Sequence, residues 1–305
     1  MDSELETGGR IVVGTDGSER ADKAVRWAAD RAGERALPLL ILYIVPEHRA
    51  VGTLPAAAYG ELANAIIAEY QLDFLDRART RLAEIAQRVR DANPGLYVES
   101  AVVEGQPGYV LAEASKDAAL VVVGARGQTA PRNVKWLGGV SDDVANHAHG
   151  PIAVISDEAQ ENPQGPVVVG VDDSQQSRVA ARLAFQDADA RGVPLIAIHA
   201  YILGTVGDLV VAEARAPRMP EPDQSVIAQM VEGVLADAAK EYPNVAYQVW
   251  VLRGRPQDVL VDASDGAGLV VVGSRGRGGF RGLLLGSTSK HVLRESLSPV
   301  IVTRG

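Results

Sequence analysis

The chain has 305 residues, 47% hydrophobic and 23% charged, which suits about two soluble domains with sizeable cores. Its net charge of −9 disfavours a nucleic-acid or anionic-membrane surface, and the lack of cysteine excludes disulfides, thiolate zinc sites and cysteine nucleophiles. No apolar run is long enough to span a bilayer and the acidic start, Met1 to Arg10, lacks a signal-peptide core, so a cytoplasmic protein is expected.

Ile11–Val13 is a short β-branched run ending in glycine, and Ser18 offers an N-cap oxygen to a following helix. Ala21, Ala24, Val25, Ala28 and Ala32 fall on one face of that helix. Leu39–Val45 is apolar without alternation, the pattern of a strand buried on both faces. A long helix is predicted around Gly60–Asp91, then a strand over Tyr97–Val103, a helix leading to "LVVVG" (120–124), a last helix over Ser141–His147 and a final strand "PIAVI" (151–155). "SDEAQENPQGP" (156–166) is polar with two prolines and reads as a linker. The series then recurs: Val167–Val169, Ser174 as a cap, a helix around Asp223–Glu241, a strand over Val245–Leu252, "LVVVG" (269–273), a helix over Ser289–Glu295 and "PVIVT" (299–303).

The recurrence is an internal repeat. Residues 11–45 align without a gap on 167–201 at an offset of 156, and 105–127 align on 254–276 at an offset of 149. The expected organisation is therefore one module over 1–155, a linker over 156–166 and a second module over 167–305. Each reads as βαβαβαβαβ, an α/β fold with a five-stranded, Rossmann-like parallel sheet covered by helices on both faces.

In such sheets ligands sit at the carboxyl ends of strands, near a switch in strand order. Two segments fall there. The first is "GTDGS" (14–18), repeated as "GVDDS" (170–174). Asp16 and Asp172 follow a buried strand, where a carboxylate accepts from a base or ribose, or else bonds its own turn. The second segment is "VVVGSRGRGGFRGLLLGSTSKHV" (270–292), which fits Gly-x-x-Gly, nine residues, then Gly-Ser-Thr. Glycine lets backbone approach a ligand closely, and successive exposed N–H groups form an anion nest. Gly286, Ser287 and Thr288 stand just before a helix, whose start favours a phosphate; Ser287, Thr288 and Ser289 either donate hydroxyls to it or cap the helix. Arg275, Arg277 and Arg281 read equally as phosphate neutralisers and as solvated charges. Trp27, Trp136 and Trp250 read as packing residues.

Other nucleotide and catalytic motifs fail. There is no Gly-x-x-x-x-Gly-Lys-Ser/Thr, and "GTDGS" and "GVDDS" occupy the place of a dinucleotide fingerprint. His-Glu-x-x-His and Gly-x-Ser-x-Gly nucleophile patterns are missing as well. His147 and His149 read as solvated helix-end residues, so no metal-ligating or catalytic residue is assigned.

On these residues the chain resembles tandem universal stress proteins of the ATP-binding subclass, over roughly 11–155 and 167–304. The resemblance implies an adenine-nucleotide α-hydrolase-like fold, two modules packed as a pseudo-dimer through their last strands, and further homodimerisation. It implies ATP, with magnesium nearby, and a regulatory role in stress or growth control through an unidentified protein partner. Slow hydrolysis, or binding of another adenine nucleotide such as cyclic AMP, are the alternatives. Asp172 would meet the adenosine, with Gly170 and Ala200 lining the base and ribose pocket. Gly273, Ser274, Arg275, Gly276, Arg277, Gly278 and Gly279 would wrap ribose and phosphates, and Gly286, Ser287 and Thr288 would hold the outer phosphates.

The first copy departs from that pattern. It keeps Gly14, Asp16, Gly124, Arg126, Gly127 and Gly138, with Ile44 and Ala125 at the positions of Ala200 and Ser274, but ten residues separate Gly127 from Gly138. Gly139 and Val140 stand where Ser287 and Thr288 do, and Thr129, Ala130 and Pro131 replace the flexible glycines. Proline lacks an N–H donor. A weaker phosphate grip and an empty site are both open readings for this copy.

Overall fold

The computed structural model describes residues 6–46, 56–127, 137–160, 162–202, 224–276 and 284–304, with 56–72 and 224 as backbone only. The chain divides into two compact units, Met1–Asp157 and Glu158–Gly305. Of the residues singled out above, Thr129, Ala130, Pro131, Trp136, Arg277, Gly278, Gly279 and Arg281 lie outside the described residues.

The first unit runs β1 (Ile11–Thr15), α1 (Glu19–Glu34), β2 (Leu39–Val45), α2 (Ala56–Ala92), β3 (Val98–Glu104), α3 (Pro107–Ala114), β4 (Leu120–Gly124), α4 (Gly139–His147), β5 (Ile152–Ile155). Its strands are ordered β3-β2-β1-β4-β5, all parallel. The order reverses between β1 and β4, which opens a crevice at their carboxyl ends. Helix α1 starts where it does because the Ser18 hydroxyl oxygen accepts from the Ala21 N–H at 3.2 Å, and Glu19 and Asp22 in its first turn suit the positive end of the helix dipole. Its alanine face is buried against the sheet, as the spacing predicts. Trp27 is buried, with the Arg31 guanidinium 4.9 Å from its ring centroid.

The second unit repeats the plan: β6 (Val167–Gly170), α5 (Gln175–Arg191), β7 (Leu195–Tyr201), α6 (Gln224–Glu241), β8 (Tyr247–Arg253), α7 (Pro256–Ser264), β9 (Leu269–Gly273), α8 (Ser287–Glu295), β10 (Val300–Thr303). Its order is β8-β7-β6-β9-β10, again parallel. Phe185 of α5 is fully buried and meets Tyr247 of β8 edge to face, centroids 5.4 Å apart. Helix α5 ends at Gly192, whose φ of +64° is the left-handed C-cap that glycine adopts without strain.

Three details differ from the sequence reading. Helices α4 and α8 begin two residues earlier, so Gly139, Val140, Ser287 and Thr288 belong to first helical turns. Trp250 lies on the edge strand β8 and is 40% exposed, because that strand alternates and turns it outward. Gln160, Asn162, Pro163 and Gly165, in the stretch read as a linker, are held through their backbone by hydrogen bonds within the second unit. The Gln160 N–H donates to the Leu297 carbonyl at 2.7 Å, and Arg191 donates to the carbonyls of Asn162, Pro163 and Gly165 at 2.9–3.3 Å. The same guanidinium pairs with Asp187, the two side chains being 1% and 3% exposed.

Candidate functional site

In the second unit the carboxyl ends of β6 and β9, with the starts of α7 and α8, enclose a cleft of about 130 Å³. Seven of the residues selected by sequence line it: Gly170, Asp172, Ala200, Gly273, Arg275, Gly276 and Thr288. Leu260 of α7 supplies apolar wall, and it meets the backbone of Gly170 so closely that a Cβ there would lie 2.9 Å from its Cδ1.

Asp172 is held in a fixed pose. Its Oδ1 accepts from the Ser174 N–H at 3.0 Å and from the Ser177 hydroxyl at 2.7 Å. The same Ser177 oxygen accepts from the Asp172 N–H at 2.9 Å, and the Ser174 hydroxyl caps α5 by accepting from the Ser177 N–H at 3.2 Å. The turn reading of this aspartate is met by Oδ1, while Oδ2 is turned toward the glycine loop. A Cβ on Gly276 would lie 2.5 Å from Asp172 Oδ2. Beside it, His199 Nδ1 is 2.8 Å from the Val171 carbonyl; a carbonyl only accepts, so Nδ1 carries a proton.

The far end of the cleft is the start of α8. Gly286 is its N-cap, with no side-chain cap, and the Gly286 N–H donates to the Ser274 carbonyl at 2.7 Å. The Ser289 hydroxyl donates to the Gly273 carbonyl at 2.6 Å, which ties α8 to the end of β9 and takes that hydroxyl out of the donor set. The donors aimed outward are the first-turn N–H groups, Ser287 to Ser289, which helical geometry leaves without intrahelical partners. Ser274 is buried, its N–H bonded to the Thr303 carbonyl at 2.9 Å. Positive charge gathers here. Burial first, then the charge of Arg275, lowers the Arg304 pKa from its usual value, so two guanidiniums face the same region. Lys290 follows in the first turn of α8.

The first unit copies the frame with other chemistry. Asp16 Oδ1 accepts from the Ser18 N–H at 3.0 Å, but Ala21 occupies the position of Ser177, so the hydroxyl clamp has no counterpart. A Cβ on Gly127 would lie 3.2 Å from Asp16 Oδ2, and one on Gly14 would lie 2.7 Å from Leu111 Cδ1. Ile44 is buried in β2. Gly138 caps α4 without a side-chain bond; its N–H donates to the Ala125 carbonyl at 2.8 Å, and the Ser141 hydroxyl donates to the same carbonyl at 2.7 Å. The first turn of α4, however, carries Asp142 where α8 has Lys290. Gly124 ends β4 and is half-buried, while Arg126 is 5% exposed and paired with Asp157.

Sequence reasoning missed Ser177, His199, Leu260 and Arg304. Ser177 had a signal, since "DDSQQS" puts a second hydroxyl three positions after the capping Ser174. The others come from strands and helices whose register only the fold supplies. Among the described residues no group of three His, Asp or Glu side chains is arranged to hold a metal. No helix among them is long and apolar enough to cross a membrane.

The profile of the Universal stress protein family matches residues 9–156 and 165–304. The universal stress protein Rv2005c of Mycobacterium tuberculosis is 38% identical over 301 residues, covering 96% of each chain. A universal stress protein of Mycolicibacterium smegmatis is 34% identical over 296 residues, again covering 96% of each. Among solved structures, a universal stress protein from Archaeoglobus fulgidus aligns over 97% of this chain and 98% of its own, with a TM-score of 0.66 at 21% identity, a likeness of fold.

Proposed function

The chain belongs to the universal stress protein family, and from that premise we propose that its second unit is a receptor for adenine nucleotide, with ATP as the ligand and occupancy as its output. The observation that carries this reading is convergence. Asp172 in its hydroxyl clamp, the Gly273–Gly276 loop and the first turn of α8 border one cleft. The aspartate serves ribose or base, the loop gives close backbone approach, and the helix start with Arg275, Arg304 and Lys290 supplies charge of the sign a triphosphate needs.

Magnesium fits as a companion of the phosphates. It keeps several waters and takes few protein ligands in such sites, and Thr288, which lines the cleft, would offer it a hydroxyl. When bound it would neutralise phosphate charge; the chain's own residues orient the nucleotide. Binding would alter a surface presented to a regulatory partner in the cytoplasm, with homodimers as the working assembly.

The test is calorimetry with ATP and with cyclic AMP on the full chain, followed by an assay for released phosphate. The expected result is tighter binding of ATP and no phosphate release beyond the uncatalysed rate. Cyclic AMP binding more tightly than ATP, or neither binding, would reject the reading.

A further inference from the structure

The two units treat the arginine after β4 or β9 differently. In the first unit, Arg126 Nε lies 3.3 Å from Asp157 Oδ2, and Arg20 Nε lies 3.6 Å from the same oxygen. Lys23 Nζ adds a bond to the Asp157 carbonyl at 3.1 Å. Arg20 also reaches the Gly127 carbonyl at 3.3 Å, which places this cluster on the glycine loop itself. The Arg126 side chain is 5% exposed and the Asp157 side chain 28%, so the pair is partly shielded from water. In the second unit the corresponding residues are Gln176, Arg275, Gly305 and Val179: the arginine stays while the acid and the two other cations are replaced. Among the described residues Arg275 has no carboxylate partner, and its charge bears on Arg304.

We propose that Asp157 is an internal anion that occupies the cationic end of the crevice at the carboxyl ends of β1 and β4, the first cleft, and closes it to polyphosphates, so that Asp157 determines which unit takes ATP. The carboxylate sits where an incoming phosphate would seek Arg126 and Arg20, and it is covalently tethered, so its effective concentration is fixed at all times. A triphosphate must displace it and also meet the repulsion of Asp142 in the first turn of α4. A nucleoside without phosphates meets neither obstacle. The first cleft thus discriminates against charge rather than against the base. This inference rests on the second unit being an ATP receptor only for the contrast between units; its own mechanism concerns the first.

The experiment compares ATP and adenosine by calorimetry on the full chain, as wild type, Asp157→Ala, Asp157→Asn and Asp157→Ala with Arg126→Ala. Asp157→Asn keeps the shape and one acceptor, so it covers the case where the alanine variant fails to fold. Removing the acid should create an additional ATP site, with first-unit affinity raised about tenfold or more, while adenosine binding changes less than about twofold. The double variant should lose the gain. An extra site in the acid-removal variants supports the inference even if the wild type binds no ATP, which would reject only the reading of the second unit. Wild type with two equal ATP sites, an unchanged number of sites in both single variants, or a gain that survives loss of Arg126 would overturn it.

Discussion

The Cβ position of Gly276 stands 2.5 Å from Asp172 Oδ2. A side chain at 276 therefore forces the carboxylate to shift, which strains the bonds that Oδ1 accepts from Ser174 and Ser177. Gly276→Val should weaken ATP binding more than Arg277→Ala, which removes one positive charge. Titration of both variants, with circular dichroism to check folding, decides it; equal or reversed losses would show that the carboxylate pose is not the anchor.

Ser177→Ala removes the hydroxyl that both donates to Asp172 Oδ1 and accepts its N–H. A hydrogen bond to a charged group contributes about 1.5–3 kcal/mol, but the Ser174 N–H continues to hold the carboxylate, so the expected loss of ATP affinity is roughly three- to tenfold. In an Asp172→Ala background the same change should do nothing. Additive losses in the double variant would mean that Ser177 acts on the ligand directly.

Lys290→Asp copies into α8 the acid that α4 carries in its first turn. A charge at a helix start is worth about 0.3–1 kcal/mol, and more when partly buried. ATP affinity should fall about threefold to tenfold in low salt, with the difference shrinking as salt screens it. Adenosine affinity should stay level. A salt-independent loss, or an equal loss for adenosine, would point to damaged packing.

Arg191→Met should destabilise the second unit by up to about 3–5 kcal/mol, because it takes the guanidinium away from the buried Asp187 carboxylate. It also removes the donor to the carbonyls of Asn162, Pro163 and Gly165. Urea denaturation of the variant, and of Arg191→Met with Asp187→Leu, would separate the two terms: the double variant should recover the part due to the buried charge. Recovery to wild-type stability would mean that the carbonyl contacts contribute nothing.

The fold was legible because its signals are periodic and repeated. The run Leu39–Val45 was delimited to the residue as β2, and "LVVVG" marked both β4 and β9. The helix starts were misplaced by two residues because Ser141 and Ser289 resemble caps, whereas their hydroxyls reach back to the carbonyls of Ala125 and Gly273. The cleft was half legible. Asp172, Gly273 and Gly276 stand in a local motif, but Ser177, His199 and Leu260 join it only through topology. The ion pair of Asp157 was invisible for a related reason. Polarity and proline made 156–166 look like spacer, and nothing local connects Asp157 to Arg126, thirty-one positions earlier.

The five residues shared by β4 and β9 have a consequence for how the chain reaches its native state. Each strand lies next to the central strand of its unit's sheet, across the order reversal, and each pairs with that strand through a run of nearly the same composition, Ile11–Val13 or Val167–Val169. In a refolding chain either copy of "LVVVG" satisfies either neighbour, so cross-paired species bury almost as much apolar surface as correct ones. Synthesis from the ribosome removes the ambiguity, since residues up to Asp157 can condense before the second copy exists. Refolding from denaturant has no such ordering, so a slow phase that vanishes when the two halves are made to fold in sequence is the expected kinetic cost of writing one module twice.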